Sequence, residues 1–521
     1  MKQRLLKTIC LLLLPVLLLT GCWQEEPLPG DGDLLQANQQ ETEPADSRLI
    51  LPELFSLPYA PELTLDPITC PDGMQQVVAS LICEGLFRLG TDLEPEPCLC
   101  QSYTYDDASY TYVFTLRSGV TFSDGTPLTS ADVKTALDRA RKSERYGSRL
   151  SGISQITAGD DTVTVVLSAP NTGFSALLDV PIPKAGTEAA PIGTGPYLLS
   201  AESTGTYLVS NQSWWRSGQP TDRIALVEAS DQDTMLYRFT SHDVQLVTTD
   251  LTGTDPISAT GSVSYCDANT TILQYLGCNT AREPLDAPAF RRALSLGIPR
   301  QTLVSAFLSG HGTAAQFPVS PVSSLYPEDL EEPENHETFF AALKESGYTP
   351  GRTLTLLVNE ENSFKVSVAQ AIADSFSSDG VPMVIKALPW EEFTAALAAG
   401  EFDLYYGEVK LTADWDLRPL LSTEGTLNVS GWTDPQTDQL LSAFAAAADR
   451  PAAMKQLCTR LRQQSPILPV CFKSTSVLMQ TDVLTGLTPT TAEPFYNLSD
   501  CTIRLREGWK HTSRCHQTAA C

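Results

Sequence analysis

Three observations predict an α/β fold in two or more domains. Strand-like and helix-like stretches alternate along the chain. Residues 391–399 have helical character, stop at Gly400 and run straight into a strand candidate at residues 402–406. The 521 residues also exceed what one ordinary core accommodates.

The elements follow in chain order. Residues 110–116 and 162–167 are rich in Thr, Val, Tyr and Leu and predict strands. Between them, Val133, Ala136, Leu137 and Ala140 recur at helical spacing, and Thr129 with Asp132 forms a capping box at the start. Asp286 and Pro288 open another helix with Phe290, Ala293 and Leu294 on one face and Arg291 and Arg292 on the other, a pair read as a solvated face. Residues 366–376 predict a further helix, ended near Gly380. On the strand at 402–406, Tyr405 and Tyr406 alternate, so one is expected to face the core and the other the cleft or solvent. No repeat of fixed period is present, and the Gly, Thr and Ser of residues 250–264 place a domain boundary near residue 265.

The start of the chain has the layout of a secretory signal: Lys2, Arg4 and Lys7 precede an apolar run from Ile9 to Leu19. The run falls well short of the roughly 20 apolar residues that span a bilayer as a helix. It closes on Leu19, Thr20, Gly21 and Cys22. That string resembles the bacterial lipobox, which implies cleavage of residues 1–21 and lipidation of Cys22. Seven acidic residues lie between Cys22 and Arg48 amid Pro, Gly, Gln and Asn, so residues 22–49 read as a solvated tether.

The formal net charge is −27, which makes nucleic acid and anionic lipid surfaces poor partners. Of the 13 cysteines, Cys10 leaves with the signal and Cys22 takes lipid; the remaining number is odd, so at least one thiol stays unpaired. Their spacings match no zinc site, and most are expected to be buried thiols. The polar tail from Cys515 and His516 to Cys521 is expected to be frayed rather than metal-binding.

Hydrolase chemistry finds no support. Neither Gly-x-Ser-x-Gly nor His-Glu-x-x-His occurs, and His242, His311 and His336 lack ligand spacing. The segment 310–315 mimics a dinucleotide fingerprint, but Pro318 and Pro321 stand where its helix should open. No enzyme activity, resident metal or cofactor is expected, and no phosphate-binding loop is present, so any ATP would be hydrolysed by a partner.

The most informative string is residues 116–133, Leu-Arg-Ser-Gly-Val-Thr-Phe-Ser-Asp-Gly-Thr-Pro-Leu-Thr-Ser-Ala-Asp-Val: a strand end, a turn at Ser123 to Gly125, and a capped helix. It resembles the signature of the family 5 extracellular solute-binding proteins. Further blocks similar to that family follow in order: Leu65, Asp66 and Pro67; Glu84, Gly85 and Leu86; Pro191 to Tyr197; Asn211, Trp214 and Trp215; Asn279, Arg291 and Arg300; Phe402 and Asp403; Gly431 and Trp432.

The resemblance implies a two-lobed periplasmic-binding-protein fold (type II, large cluster C form) with a hinge between the lobes. Lobe I would take residues 50–265 plus a return segment at 475–506, and lobe II residues 266–474, leaving 507–521 as a tail. It further implies a lipid-anchored monomer on the extracellular face of the membrane, or the periplasmic side in a two-membrane host. Such a protein captures a small solute, most often an oligopeptide or dipeptide, and passes it to the permease and ATPase subunits of an ABC importer. A sensor of the same fold without transport, or a nickel binder, are the alternatives within the family, and an exported hydrolase is the alternative outside it. In peptide-binding relatives an Asp in an Ala-Asp-aromatic segment pairs with the α-amino group, and Ala413, Asp414 and Trp415 match that segment. Trp415 would pack on the solute beside it, and Tyr406 is taken as the cleft-facing tyrosine. Relatives often carry Gly-Trp ahead of this Asp, where this chain has Lys410 and Leu411. Asn279 is expected to bond backbone rather than solute.

Overall fold

The computed structural model describes residues 51–70, 73–257 and 261–506. The signal, Cys22, the tether and the tail lie outside the described residues. The described chain builds three main sheets with helices packed against them.

The first sheet has the order Phe55–Tyr59, Arg223–Glu228, Gly205–Ser210, Tyr197–Glu202 and packs against the helix Gly73–Ile82. The second is antiparallel, in the spatial order Cys100–Asp106, Thr111–Leu116, Thr162–Leu167 and Ile153–Ala158. The strands at 111–116 and 162–167 alternate between buried and partly exposed side chains, and their inward faces pack with Val133, Ala136, Leu137 and Ala140 of the helix Ser130–Ala140. Its start is the expected capping box: Thr129 accepts from the Asp132 amide while the Asp132 carboxylate accepts from the Thr129 amide.

The third sheet holds the molecule together. It is seven-stranded, and its centre is a pair of long antiparallel strands, Val263–Cys278 and Ile467–Gln480. Their ladder runs from Val263 opposite Gln480 to Asn269 opposite Ser474, breaks, and resumes at Leu273 opposite Phe472. Val477 and Met479 belong to one hydrophobic cluster with Phe55, Tyr197 and Ile224, whereas Leu273 and Phe472 belong to another with Trp415 and Leu457. The same two strands therefore pass through cores lying on either side of the break. Residues 265 and 475, where composition and resemblance place domain edges, fall within these strands.

At the break, hydroxyls take over the bonding that the ladder gives up. Thr270 Oγ1 donates to the Lys473 carbonyl at 2.6 Å, Thr271 Oγ1 donates to the Leu411 carbonyl at 2.6 Å, and the Ile272 amide donates to Thr270 Oγ1 at 2.9 Å.

Three of the blocks that resemble the family, those at Glu84, Pro191 to Tyr197, and Trp214 with Trp215, meet in space. Glu84 is buried and accepts from Thr194 Oγ1 at 2.9 Å, Trp214 Nε1 at 3.2 Å and Trp215 Nε1 at 2.8 Å. Glycine is required at 193 because a Cβ there would lie 1.9 Å from the Ile82 carbonyl oxygen, where the helix Gly73–Ile82 ends.

Two expectations are corrected. Arg291 is not on a solvated face: it is 1 % exposed and donates to the carbonyls of Leu285, Gln464 and Ser465, closing the end of the helix Arg450–Gln464. Arg292 alone reaches the surface and pairs with Glu332 at 2.6 Å. Tyr405 and Tyr406 do point to opposite faces, but both faces of this sheet are covered by core, so neither meets solvent. Cys278 and Cys471 are buried thiols whose pKa values burial pushes up to about 12, in keeping with inert packing residues.

Asp403 enters the third sheet 2 % exposed. Burial disfavours its charge, yet bidentate bonds from Arg352 at 2.6 and 2.7 Å and the Thr355 amide at 2.8 Å hold its pKa below the usual carboxylate value. Asp403→Asn is expected to lower stability at neutral pH by about 2–3 kcal/mol in urea unfolding. Because the folded pKa is depressed, the wild-type advantage is expected above about pH 4 and to fade as pH falls through the lower folded value.

Candidate functional site

The break in the central strands faces a cavity of about 320 Å³. Thr270, Thr271 and Ile272 form its floor with residues 410–413, which follow the strand Leu404–Lys410. The helix Gly73–Ile82 contributes Gln76, Ala79 and Ser80, the segment after the helix Ser130–Ala140 contributes Arg145, Tyr146 and Arg149, and residues 490–493 close another side. Walls from both sets of cores thus meet around one space.

Its charges are unevenly matched. Arg149 Nη2 pairs with Asp179 at 2.5 Å, its guanidinium lies 4.7 Å from the Tyr146 ring centroid, and its buried Nε has no hydrogen-bond partner among the described residues. Lys410 lines the cavity without an ion pair among the described residues, and desolvation first, then Arg149 and Arg145, lower its pKa against the pull of Asp179. Arg145 approaches the Pro67 carbonyl at 3.5 Å but has no carboxylate partner there. Three cations therefore face the cavity beside one paired carboxylate, in a chain of net charge −27. Glu493 also lines the space, its carboxyl pushed up to about 7 by burial, with Arg88 acting in the opposite direction.

Asp414 lies one residue beyond the cavity-lining Ala413 and is 4 % exposed. Its carboxylate accepts from Asn171 Nδ2 at 2.7 Å and from Thr412 Oγ1, while its backbone carbonyl accepts from Arg450 Nη2 at 2.5 Å. The segment around Asn171 bonds across the same seam, with the Thr172 amide donating to the Ala445 carbonyl at 2.9 Å and Thr172 Oγ1 to the Ala447 carbonyl at 2.8 Å. Trp415, expected beside the solute, is placed in the core instead. Its backbone takes a left-handed φ of 56°, and its ring, 1 % exposed, meets Phe472 edge-on at 5.8 Å. Tyr406 is likewise a core residue at 2 % exposure, donating its hydroxyl to Gln274 Oε1 at 2.8 Å. Asn279 bonds backbone as expected, donating to the carbonyls of Gly400 and Phe402.

Sequence reasoning missed Arg145, Arg149 and Asp179 as site residues, because two separated segments bring them to the space beside Lys410 and no motif marks them. One signal was present: Lys410 and Leu411, where this chain departs from the relatives' Gly-Trp, both line the cavity.

Ser476, His311 and Asp267 also come together, but not as a nucleophilic triad. Asp267 accepts from Ser476 Oγ at 2.6 Å and meets His311 Nδ1 at 3.0 Å, and the serine also approaches that same ring nitrogen, at 3.5 Å. A triad places base and orienting carboxylate on opposite nitrogens of the ring.

The sequence profile described as "Bacterial extracellular solute-binding proteins, family 5 Middle" matches residues 94–424. The chain belongs to that family. It is an ABC-transporter substrate-binding protein, not an enzyme. It is 27 % identical over 442 residues to the glutathione-binding protein GsiB of Salmonella typhimurium, covering 78 % of this chain and 86 % of that protein. Among solved structures it is similar to the unliganded open form of MppA, a periplasmic murein tripeptide binding protein, with a TM-score of 0.71, 20 % identity, and coverage of 87 % of this chain and 98 % of that one. It is equally similar to a nickel ABC transporter protein from Bacillus halodurans, with a TM-score of 0.71, 19 % identity, and coverage of 85 % and 98 %. The fold is the two-lobed periplasmic-binding-protein fold of this family. Family members act extracellularly or in the periplasm, and among the described residues no helix is long and apolar enough to cross a membrane.

If Trp415 is a core anchor, Trp415→Ala is expected to cost about 3–5 kcal/mol in denaturant unfolding without any solute present. An unchanged midpoint would remove it from the core.

Proposed function

We propose that the chain captures a small peptide, held chiefly by its carboxylate, in the cavity beside Thr270 to Ile272, and delivers it to an importer. The observation that carries this reading is the cationic excess of Arg145, Arg149 and Lys410. An anionic group placed there gains charge-assisted hydrogen bonds from donors that the protein leaves unmatched. The names of relatives point the same way, since GsiB binds glutathione and MppA a murein tripeptide. A nickel reading finds less support, because no group of three or more His, Cys, Asp or Glu suited to a metal occurs among the described residues.

In this reading lobe I comprises residues 50–265 and 475–506, lobe II residues 266–474, and the lobes close on the solute about the break in the two long strands. Asp414 serves the closed form: bonded to Asn171 across the seam, it holds the wall beside the solute, and it meets an ammonium directly only when Asn171 withdraws. Cys22 carries the lipid that keeps the protein at the membrane, and residues 22–49 give it reach.

Native mass spectrometry of the intact protein released from detergent, mixed with a defined peptide pool, is expected to retain peptides of a narrow length range. Lys410→Gln is expected to weaken that binding by about 10-fold or more. A folded protein that retains no peptide would overturn the reading. Cys22→Ser is expected to move the protein from the membrane fraction to the soluble fraction on cell fractionation.

A further inference from the structure

Every charged group near the cavity has a partner except a few. Among its anions, Asp179 is taken by Arg149 at 2.5 Å. Glu84, just behind the wall, has its carboxylate filled by Thr194, Trp214 and Trp215. Asp414 is filled by Asn171 and Thr412. Glu493 is different: among the described residues no hydrogen bond or ion pair reaches its carboxyl.

The reason lies in its neighbours. Arg88 is committed to Glu96 at 3.0 Å and to the Tyr496 carbonyl at 3.1 Å, with its guanidinium 4.2 Å from the Tyr496 ring centroid. Arg216 lies 4.3 Å from the Trp215 ring centroid, with Nη2 at 3.3 Å from Cys98 Sγ. Both arginines act on Glu493 through space, yet neither bonds it.

Glu493 also stands at a junction. With Ser80 it lines both the main cavity and a second one of about 270 Å³ bounded by Arg88, Cys98, Trp214 and Tyr496. The charges acting on Lys410 are Arg149, Asp179 and Arg145, and those acting on Glu493 are Arg88, Glu84, Arg216 and Asp179. Only Asp179 is common to both. Lys410 lines the main cavity only, whereas Glu493 lies where that cavity meets the second one.

We propose that Glu493 receives the ammonium group of the solute whose carboxylate lies against Lys410 and Arg145, so that the cavity selects peptides with a free amino terminus. This rests on the reading that the cavity holds a peptide. A cavity-facing carboxyl with no internal partner gains most from a cation that brings its own charge, and it penalises a solute that lacks one. Since burial pushes the empty carboxyl up to about 7, with Glu84 and Asp179 adding to burial and Arg88 and Arg216 opposing it, an arriving ammonium displaces a proton. Binding is then expected to tighten as pH rises from about 6 to about 7, below the range in which the peptide's own amino terminus loses its proton.

The test uses the intact protein with two probes: a pool of free tripeptides and the same pool acetylated at the amino terminus. Wild type is expected to bind the free pool at least about 10-fold more tightly, and Glu493→Gln to weaken the free pool by about 10- to 100-fold while leaving the acetylated pool unchanged and removing the pH trend. Equal wild-type affinity for the two pools, which needs no variant to fold, would overturn the assignment and leave peptide capture standing. Undiminished preference for the free pool in folded Glu493→Gln would do the same. Binding of neither pool by wild type would overturn the peptide reading and this assignment with it.

Discussion

Everything in this molecule hangs on the pairing of two strands, Val263–Cys278 and Ile467–Gln480, and on the place where that pairing stops. A continuous antiparallel ladder between two cores would be stiff, because every residue along it commits a donor and an acceptor. Here the ladder lapses between Asn269 and Leu273, and the hydroxyls of Thr270 and Thr271 satisfy the backbone carbonyls of Lys473 and Leu411 instead. A side-chain hydroxyl rotates where a backbone amide cannot. The lapse also lies where Thr270, Thr271 and Ile272 line the cavity. One local irregularity thus positions the site and supplies a compliant point next to it.

The second constraint is electrostatic. A surface of strong negative charge keeps the protein soluble and repels other acidic surfaces, yet it does not fix what one pocket prefers. Inside the cavity the sign reverses, and the reversal is sustained by commitment elsewhere: Arg149 is steadied by Asp179 and Tyr146, and burial weakens the hold of Lys410 on its proton. Desolvated charges next to unfilled volume are costly in the empty protein. A solute that matches them removes the cost, which ties affinity to complementarity of charge and spacing.

The sequence was most legible where local rules act. The capping box at Thr129 and Asp132, the alternation over 162–167, and the stops at Gly380 and Gly400 are written in neighbouring residues, and the elements followed. The family strings were legible for another reason: Thr194 and the two tryptophans all bond the buried carboxylate of Glu84, so their spacing along the chain records a fixed meeting in space. Legibility failed where facing partners decide. The helical pattern put Arg291 on a polar face, but the end of the helix Arg450–Gln464 arrives there and needs donors for its last carbonyls. Trp415 and Tyr406 look like ligand-stacking aromatics in isolation, and the packing of Phe472 and Gln274 against them makes them core.

By itself, then, the sequence determined the α/β class, the order of elements and the family, because periodicity, capping and short turn chemistry act over a few residues and leave local signatures. Only the tertiary structure decided which charges share the cavity, since Arg145, Asp179, Lys410 and Glu493 are brought together by strands that pair over some two hundred residues. It also decided which charged groups are spent on internal partners and which remain open. That distinction has no local signature, because satisfaction of a buried charge depends on what the rest of the fold places beside it.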